Sequence, residues 1–266
     1  LMSYGSMRDA NVIGTRELLK LAADAGVSDF NYISTTFIFG WAKKASLLES
    51  DNNNEMEVLD FGYSQSKWVA EQLVLSAGEA GMPIRIFRPS LITPSVNGAG
   101  TGLDISLRLL LFMIKHAITV DSLNQVSFTP VNSAANNIIA IAQNPSTIGG
   151  AYHVVRDDYN NMRTVTDVMA ASLGIHFKAL PLKKFVEELI RLCTSQDPLY
   201  PLLDFLIHAE ENITAMGAKR YSSTAYQAAR SNTSAGVADP SLEETVSGIL
   251  LYLSKYDPSI CTKIHP

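Results

Sequence analysis

The chain contains 266 residues, 47% of them hydrophobic and 18% charged, which is typical of a globular protein with one large domain or a core domain plus a smaller lobe. The formal net charge of −5 argues against a nucleic-acid partner, because no basic stripe is present to displace counterions. No apolar run is long enough to span a membrane, and two cysteines without metal-ligand spacing, Cys193 and Cys261, are interpreted as unpaired thiols in a reducing cytoplasm.

The first part of the chain is predicted to alternate between helices and strands. Helices are expected over residues 8–25 and 62–77, where apolar residues recur at helical spacing. Strands are expected over residues 29–34 and 83–87, which are short and rich in apolar, aromatic or β-branched residues. Residues 48–59 are acidic and rich in asparagine, so they are predicted to form a surface loop.

Further strands and helices follow, and helices dominate from Met162 onward. The predicted strands are 125–129 and 150–155, and the predicted helices are 103–118, 131–143, 165–173, 182–193, 199–208 and 242–253. Helices and strands that alternate with crossovers of this length are typical of a parallel α/β sheet. We therefore predict a partial doubly wound, Rossmann-like parallel sheet in residues 1–155 and a smaller, mainly helical lobe in residues 156–266.

Tyr63 and Lys67 are the pair that indicates chemistry. They are four residues apart and so lie on one face of the predicted helix. A lysine ammonium one turn away is expected to lower the pKa of the tyrosine, whose ordinary value of about 10 makes it a slow proton donor. Thr35 follows the first predicted strand, at the carboxyl end where ligands bind in open α/β sheets. Together these groups can stabilise the oxyanion that forms when hydride reaches a carbonyl carbon.

The Tyr-x-x-x-Lys spacing is weak evidence by itself, because the chain has ten tyrosines and an exposed helix pair would look the same. The order of the surrounding elements strengthens it: a helix, a strand ending in Ser-Thr, a loop, the Tyr-x-x-x-Lys helix, and a strand ending in Arg-Pro. The five histidines are scattered, so no metal site is predicted, and His153 is interpreted as a core residue.

Several short segments carry a family resemblance. Asn11-Val-Ile-Gly-Thr15, Tyr32-Ile-Ser-Thr-Thr-Phe-Ile-Phe-Gly40, Tyr63-Ser-Gln-Ser-Lys67 and Phe87-Arg-Pro-Ser90 together resemble the extended short-chain dehydrogenase/reductases. Within that superfamily, residues 63–74, Phe128-Thr-Pro-Val-Asn132, Tyr152-His-Val154 and Asp239-Pro-Ser-Leu-Glu243 resemble the thioester reductase branch. That branch includes the terminal reductase domains of nonribosomal peptide and polyketide synthetases and of carboxylic acid reductases.

The resemblance implies roles for individual residues. Thr35 aligns with the catalytic serine or threonine of the family, Tyr63 with its proton donor, and Lys67 with the lysine that holds the nicotinamide cofactor. The implied cofactor is NADPH, and its binding residues are Thr35, Tyr63, Lys67, Pro89, Ser90 and Leu91. Asn11 resembles a helix asparagine that steadies the active-site backbone through water, with a solvated helix residue as the alternative.

The resemblance also implies a reaction and a partner. It predicts NADPH-dependent reduction of an acyl or peptidyl thioester, held on a phosphopantetheinylated carrier protein, to an aldehyde, and leaves open a second reduction to an alcohol. One alternative is a sugar-nucleotide epimerase or dehydratase of the same superfamily. Another is a catalytically silent module that docks a carrier or synthetase partner. The helical lobe is expected to form the acyl pocket or only its own core.

The glycine-rich turn with which this superfamily grips the cofactor pyrophosphate is not found ahead of Thr35. Gly98-x-Gly100-x-Gly102 is not that turn, because no predicted strand leads into it, and we expect it to line the substrate entrance. We therefore expect the missing N-terminal half of the same domain to be supplied by another polypeptide segment, and residues 29–34 to form an open parallel edge. The chain alone is not expected to bind cofactor tightly.

Overall fold

A computed structural model describes residues 3–42, 44–52, 56 and 59–260. Cys261, His265 and part of the predicted loop 48–59 lie outside the described residues. The chain divides into two compact units, which we describe separately. Unit 1 consists of Leu1–Ser90, Ala134–Val155 and Tyr221–Val237, and unit 2 consists of Leu91–Ser133, Arg156–Arg220 and Ala238–Pro266. These bounds differ from the predicted lobes 1–155 and 156–266, whose functional roles stay a prediction.

The helices and strands are numbered in chain order. The helices are α1 (Tyr4–Arg8), α2 (Gly14–Asp24), α3 (Gly62–Glu79), α4 (Ile105–His116), α5 (Val131–Ala142), α6 (Met162–Leu173), α7 (Leu182–Leu192), α8 (Leu203–His208), α9 (Glu210–Met216), α10 (Thr224–Ser231) and α11 (Leu242–Leu253). The strands are β1 (Phe30–Ile33), β2 (Ser46–Leu47), β3 (Ile84–Pro89), β4 (Leu91–Thr93), β5 (Ile118–Asp121), β6 (Gln125–Val126), β7 (Phe128–Pro130), β8 (Ala151–Val154), β9 (Asn160–Asn161), β10 (Lys178–Pro181) and β11 (Arg220–Tyr221). A π-helical turn joins α1 to α2.

Unit 1 is built on a parallel sheet in the order β1-β3-β8. β3 lies in the middle and is almost entirely buried, as expected for a parallel strand with packed faces. The core between this sheet and α2 and α3 contains Leu19, Tyr32, Val74, Ile84 and Ile86. The predicted α/β class with a parallel Rossmann-like sheet is therefore confirmed.

β1 lies at one edge of this sheet. Within the described residues it pairs on one side, with β3, in the register Phe30 to Ile84 through Ile33 to Phe87. Ile33 is 45% exposed although it belongs to an apolar strand. The open edge agrees with the sequence expectation for residues 29–34, while the source of a neighbouring strand stays a prediction.

Unit 2 contains three small sheets and a helical core. β4 pairs with β7 and β5 with β10, both in parallel, and β6 pairs with β9 in antiparallel. The core includes Leu110, Met169, Leu189 and Ile249, one each from α4, α6, α7 and α11. Among the residues that the structure describes, no helix is both long and apolar enough to cross a membrane, and no group of metal-binding side chains is found.

Most predicted elements have somewhat different bounds in the structure, and two of these differences have a clear local cause. The helix predicted over 103–118 ends at His116, because Ala117 adopts a left-handed conformation with φ 52° and Ile118 begins β5. The strand predicted over 125–129 is interrupted at Ser127. The Ser127 hydroxyl accepts from the backbone N–H of Arg156 and donates to its carbonyl, both at 3.0 Å, so this side chain pairs with backbone across the gap.

Candidate active site

Thr35 stands at the carboxyl end of β1, where the chain turns into a short 3₁₀ helix over Thr36–Phe39. The backbone of Thr35 is extended, and its hydroxyl oxygen caps this helix by accepting from the Phe37 N–H at 3.2 Å. The side chain is buried. β1 therefore delivers a fixed hydroxyl to the sheet edge at which open α/β sheets bind ligands.

α3 presents Tyr63 and Lys67 from its first two turns. Gly62 starts this helix, and a β-carbon at that position would collide with the backbone of Ser3 and Tyr4. Glycine thus lets the start of α1 approach the residue directly before Tyr63. As predicted from their spacing, Tyr63 and Lys67 lie one turn apart on the same helix.

The Thr35 side chain lies near enough to the Tyr63 phenol to affect its ionisation, and the ring of Phe37 packs edge-to-face against that of Tyr63, so the structure brings these two predicted residues together. Burial raises the pKa of Tyr63, and the Thr35 side chain opposes that shift. The sequence argument expected the opposite direction, with Lys67 lowering the pKa of Tyr63, and that expectation is wrong for this arrangement. Tyr63 keeps 37% of its surface exposed.

The position of the Lys67 ammonium group explains the difference. Its Nζ donates to the Ile33 carbonyl at 2.5 Å and lies 4.4 Å from the centroid of the Tyr32 ring. The amine is therefore held against β1 and its aromatic side chain. Burial lowers the pKa of Lys67 to about 8, and the negative charge of Glu71 opposes this shift.

The residues after β3 are only partly brought to this site. Pro89 ends β3 and Ser90 follows it in unit 1, with β3 paired to β1 through Phe87. Leu91 begins β4 and belongs to unit 2. Contact of Pro89, Ser90 and Leu91 with a cofactor stays a prediction.

Asn11 is connected to α3 by direct hydrogen bonds. Its side-chain amide donates to the Ser66 hydroxyl at 2.9 Å, and that hydroxyl donates to the Tyr63 carbonyl at 3.0 Å. Asn11 lies in the π-helical turn, an irregularity that is frequent near functional sites. It is half-buried and bonded, which contradicts the alternative of a solvated helix residue.

Sequence reasoning missed a buried ion pair beside these residues. Arg88 donates to one carboxylate oxygen of Glu71 at 2.7 and 3.1 Å, and both side chains are almost fully buried. The remaining Arg88 nitrogen donates to the carbonyls of Glu49 and Asp51. Glu71 follows Lys67 by four residues, so the helical period predicts that these two are neighbours, but not that Glu71 contacts Arg88.

Unit 2 contains a separate cavity of about 480 Å³, within the usual size range of small-molecule pockets. It lies at the carboxyl ends of the parallel pair β4 and β7, and its walls include Ile92, Leu107, Val131, the glycine loop over residues 99–102 and Tyr252. The loop is attached to α11, because Tyr252 donates to the Gly102 carbonyl at 2.7 Å. The loop lines a cavity as expected, although it is packed against a helix rather than free, and its role as a substrate entrance stays a prediction.

Comparisons with known proteins agree with this architecture. The sequence matches the NAD-binding family described as "Male sterility protein" over residues 1–138. It is 33% identical over 217 residues to the non-canonical nonribosomal peptide synthetase cpsA of Aspergillus campestris, which covers 76% of this chain and 21% of that protein. It is 30% identical over 218 residues to the aldehyde reductase lnbA of Aspergillus flavus, covering 77% of this chain and 22% of the relative.

The structure resembles the terminal R domain from the myxalamid PKS-NRPS biosynthetic pathway, with a TM-score of 0.85 and 29% identity, over 96% of this chain and 66% of that one. The chain spans about a fifth of the length of the two curated relatives. The family match covers more than half of the 266 residues and includes Thr35, Tyr63 and Lys67. The chain therefore belongs to the NAD-binding Male sterility protein family.

Proposed function

We propose that this chain contributes the proton-donating and ribose-binding part of an NADPH-dependent thioester reductase. The substrate is an acyl or peptidyl thioester on the phosphopantetheine arm of a carrier protein, and the product is an aldehyde. The observation that carries this proposal is the approach of Tyr63 to Thr35 and Phe37 at the carboxyl end of β1, with Lys67 one turn further along the same helix. Similarity to a nonribosomal peptide synthetase and to an aldehyde reductase supports it.

The described residues fit the nicotinamide ribose end of a cofactor. Tyr63 is 37% exposed. The Lys67 amine donates to the Ile33 carbonyl, and its remaining N–H donors can bind ribose hydroxyls. When bound, NADPH would supply the hydride for the reduction. The described glycine loop at 98–102 does not fit the pyrophosphate end, because it packs on α11 in unit 2.

The side chains of unit 1 have separable tasks. The Tyr63 hydroxyl would donate a hydrogen bond, and then a proton, to the carbonyl oxygen of the substrate. The Thr35 hydroxyl, held by its contact with the Phe37 N–H, would orient the same oxygen and share the negative charge that develops on it. The raised pKa of Tyr63 keeps the phenol protonated at neutral pH, which suits a proton donor.

We also propose that residues 156–266 contribute to recognition of the acyl group or its carrier. The cavity in unit 2 supports this, because its lining is mostly apolar and Tyr252 of this lobe forms one wall. Most ligand pockets combine an apolar lining with a few polar groups in this way. The identity of the acyl group is not part of the proposal.

The test uses the protein that carries this chain, NADPH and an acyl thioester on a carrier protein. Aldehyde is trapped and quantified, and NADPH oxidation is followed in parallel. Tyr63→Phe and Lys67→Ala are each expected to lower aldehyde formation by about 10²-fold or more, because each removes a group that acts on the reacting carbonyl or the ribose. Replacing NADPH by NADH tests the cofactor choice.

Lys20→Ala is the matched control for Lys67→Ala, because Lys20 is an exposed lysine on α2 in unit 1 and has no role in the proposed site. It is expected to leave the rate unchanged. Carrier binding without NADPH oxidation, together with insensitivity to Tyr63→Phe, would instead indicate a silent docking module. Turnover of nucleotide sugars but not of thioesters would indicate the epimerase-type alternative.

A further inference from the structure

The ion pair between Glu71 and Arg88 engages only one of the two carboxylate oxygens of Glu71. Arg88 binds that oxygen through two nitrogens. The other oxygen is buried and has no hydrogen-bond partner among the described residues. A buried carboxylate normally satisfies both oxygens, so an unpartnered one calls for an explanation.

The neighbour of this carboxylate on α3 is Lys67. Glu71 follows Lys67 by four residues, the spacing at which helical side chains interact. Glu71 acts electrostatically on Lys67 and also on Tyr32, the ring over which the Lys67 ammonium lies. The groups around this amine are thus Tyr32 from β1, Tyr63 and Glu71 from α3, and Arg88 from β3 through Glu71.

We propose that Glu71 is a positioning residue for Lys67: Arg88 anchors its buried carboxylate through one oxygen, and the charge of the other oxygen keeps the Lys67 amine protonated beside Tyr32. This role rests on the proposed function, in which Lys67 holds the ribose as a cation. Burial favours the neutral form of the Lys67 amine, and without Glu71 no acidic side chain of α3 near Lys67 would offset that effect. The amine would then lose its proton at a lower pH.

A purely structural ion pair would behave differently. Such a pair ties α3 to β3, and its loss would lower stability without changing the titration of Lys67 in molecules that remain folded. The two roles therefore separate in a measurement of the Lys67 proton. That measurement needs neither cofactor nor substrate, so its result is independent of whether the proposed reduction occurs.

The experiment labels the lysines of the chain with ¹³C and ¹⁵N and follows their side-chain NMR signals as a function of pH, with Lys67→Arg used to assign the Lys67 signal. Glu71→Gln is expected to lower the titration midpoint of Lys67 by about one pH unit, and Glu71→Asp to restore most of it. Glu79→Gln is the matched control, because it removes an exposed carboxylate from the last position of the same helix, and it should leave the midpoint unchanged.

Glu71→Gln leaves the Arg88 guanidinium buried and unpaired, which can prevent folding. The double variant Glu71→Gln/Arg88→Met removes both charges and keeps the measurement possible, and it too should lower the midpoint. An unchanged Lys67 midpoint in folded Glu71→Gln or in the double variant would overturn the proposal. Failure of the double variant to fold would also overturn it, because the pair would then be structural. A lowered midpoint with turnover that ignores Tyr63→Phe would instead refute the proposed function alone.

Discussion

Replacing Gly248 by alanine tests how closely Ser95 and Val96, which follow β4, pack against α11. Gly248 lies buried in the middle of that helix, where alanine ordinarily stabilises by about 1 kcal/mol. A β-carbon there would lie 2.8 Å from the Val96 Cα and still closer to the Ser95 carbonyl oxygen. Both are backbone atoms, so a change of rotamer cannot relieve the overlap.

The expected result is a net loss of stability. Overpacking costs about 1–3 kcal/mol, and rigid backbone places this contact near the upper end. After the helix-propensity gain of about 1 kcal/mol is subtracted, Gly248→Ala should lower the free energy of unfolding by about 2 kcal/mol. Gly14→Ala is the matched control, because Gly14 is also helical and its β-carbon would meet only an ordinary contact at 3.7 Å. That substitution should stabilise by about 0.5–1 kcal/mol.

Urea denaturation of the two variants measures this difference. Hydrogen exchange provides a local readout, since the Ser95 N–H donates to the Ala99 carbonyl at 2.8 Å and should lose protection only in Gly248→Ala. Equal or greater stability of Gly248→Ala relative to Gly14→Ala would refute the packing argument.

Three further predictions concern single groups. Because burial lowers the pKa of Lys67 to about 8, the protonated fraction of this amine falls from about nine-tenths at pH 7 to about one-tenth at pH 9. The rate of aldehyde formation should therefore decline between pH 7 and pH 9. A flat pH–rate profile would contradict a role for charged Lys67. Glu49→Gln should lower the free energy of unfolding by about 1–3 kcal/mol in urea titrations, because the carboxylate accepts from three backbone N–H groups and an amide can accept with one oxygen only. Tyr252→Phe should cost about 1 kcal/mol in the same assay through loss of the bond to the Gly102 carbonyl, and a neutral result would show that this bond does not hold the loop.

Local periodicity predicted the site residues that share one element. Tyr63 and Lys67 follow from the helical period, and the strand before Thr35 follows from its short apolar composition. The last helix was predicted with the bounds that the structure shows, 242–253, and in the structure a capping box formed by Ser241 and Glu244 begins it.

Elements stabilised by distant partners were not predicted. β4, β5 and β10 have only three or four residues each, and each pairs with a strand far away in the chain. A window of three or four residues holds too little periodicity to separate a strand from a loop. The Glu71–Arg88 pair was not predicted either, because it joins α3 to β3 and depends on the packing between them.

The sequence alone determined which chemical groups this chain can offer and their order along it: a hydroxyl after a strand, then a phenol and an amine one helical turn apart. Only the tertiary structure decided the surroundings of those groups and, with them, the direction of their pKa shifts. The pKa of Tyr63 is raised rather than lowered because packing partly buries its side chain and the Lys67 ammonium is directed toward Ile33 and Tyr32 instead. Desolvation and the direction of a flexible amine depend on neighbours from other elements, and no spacing rule within one helix contains that information.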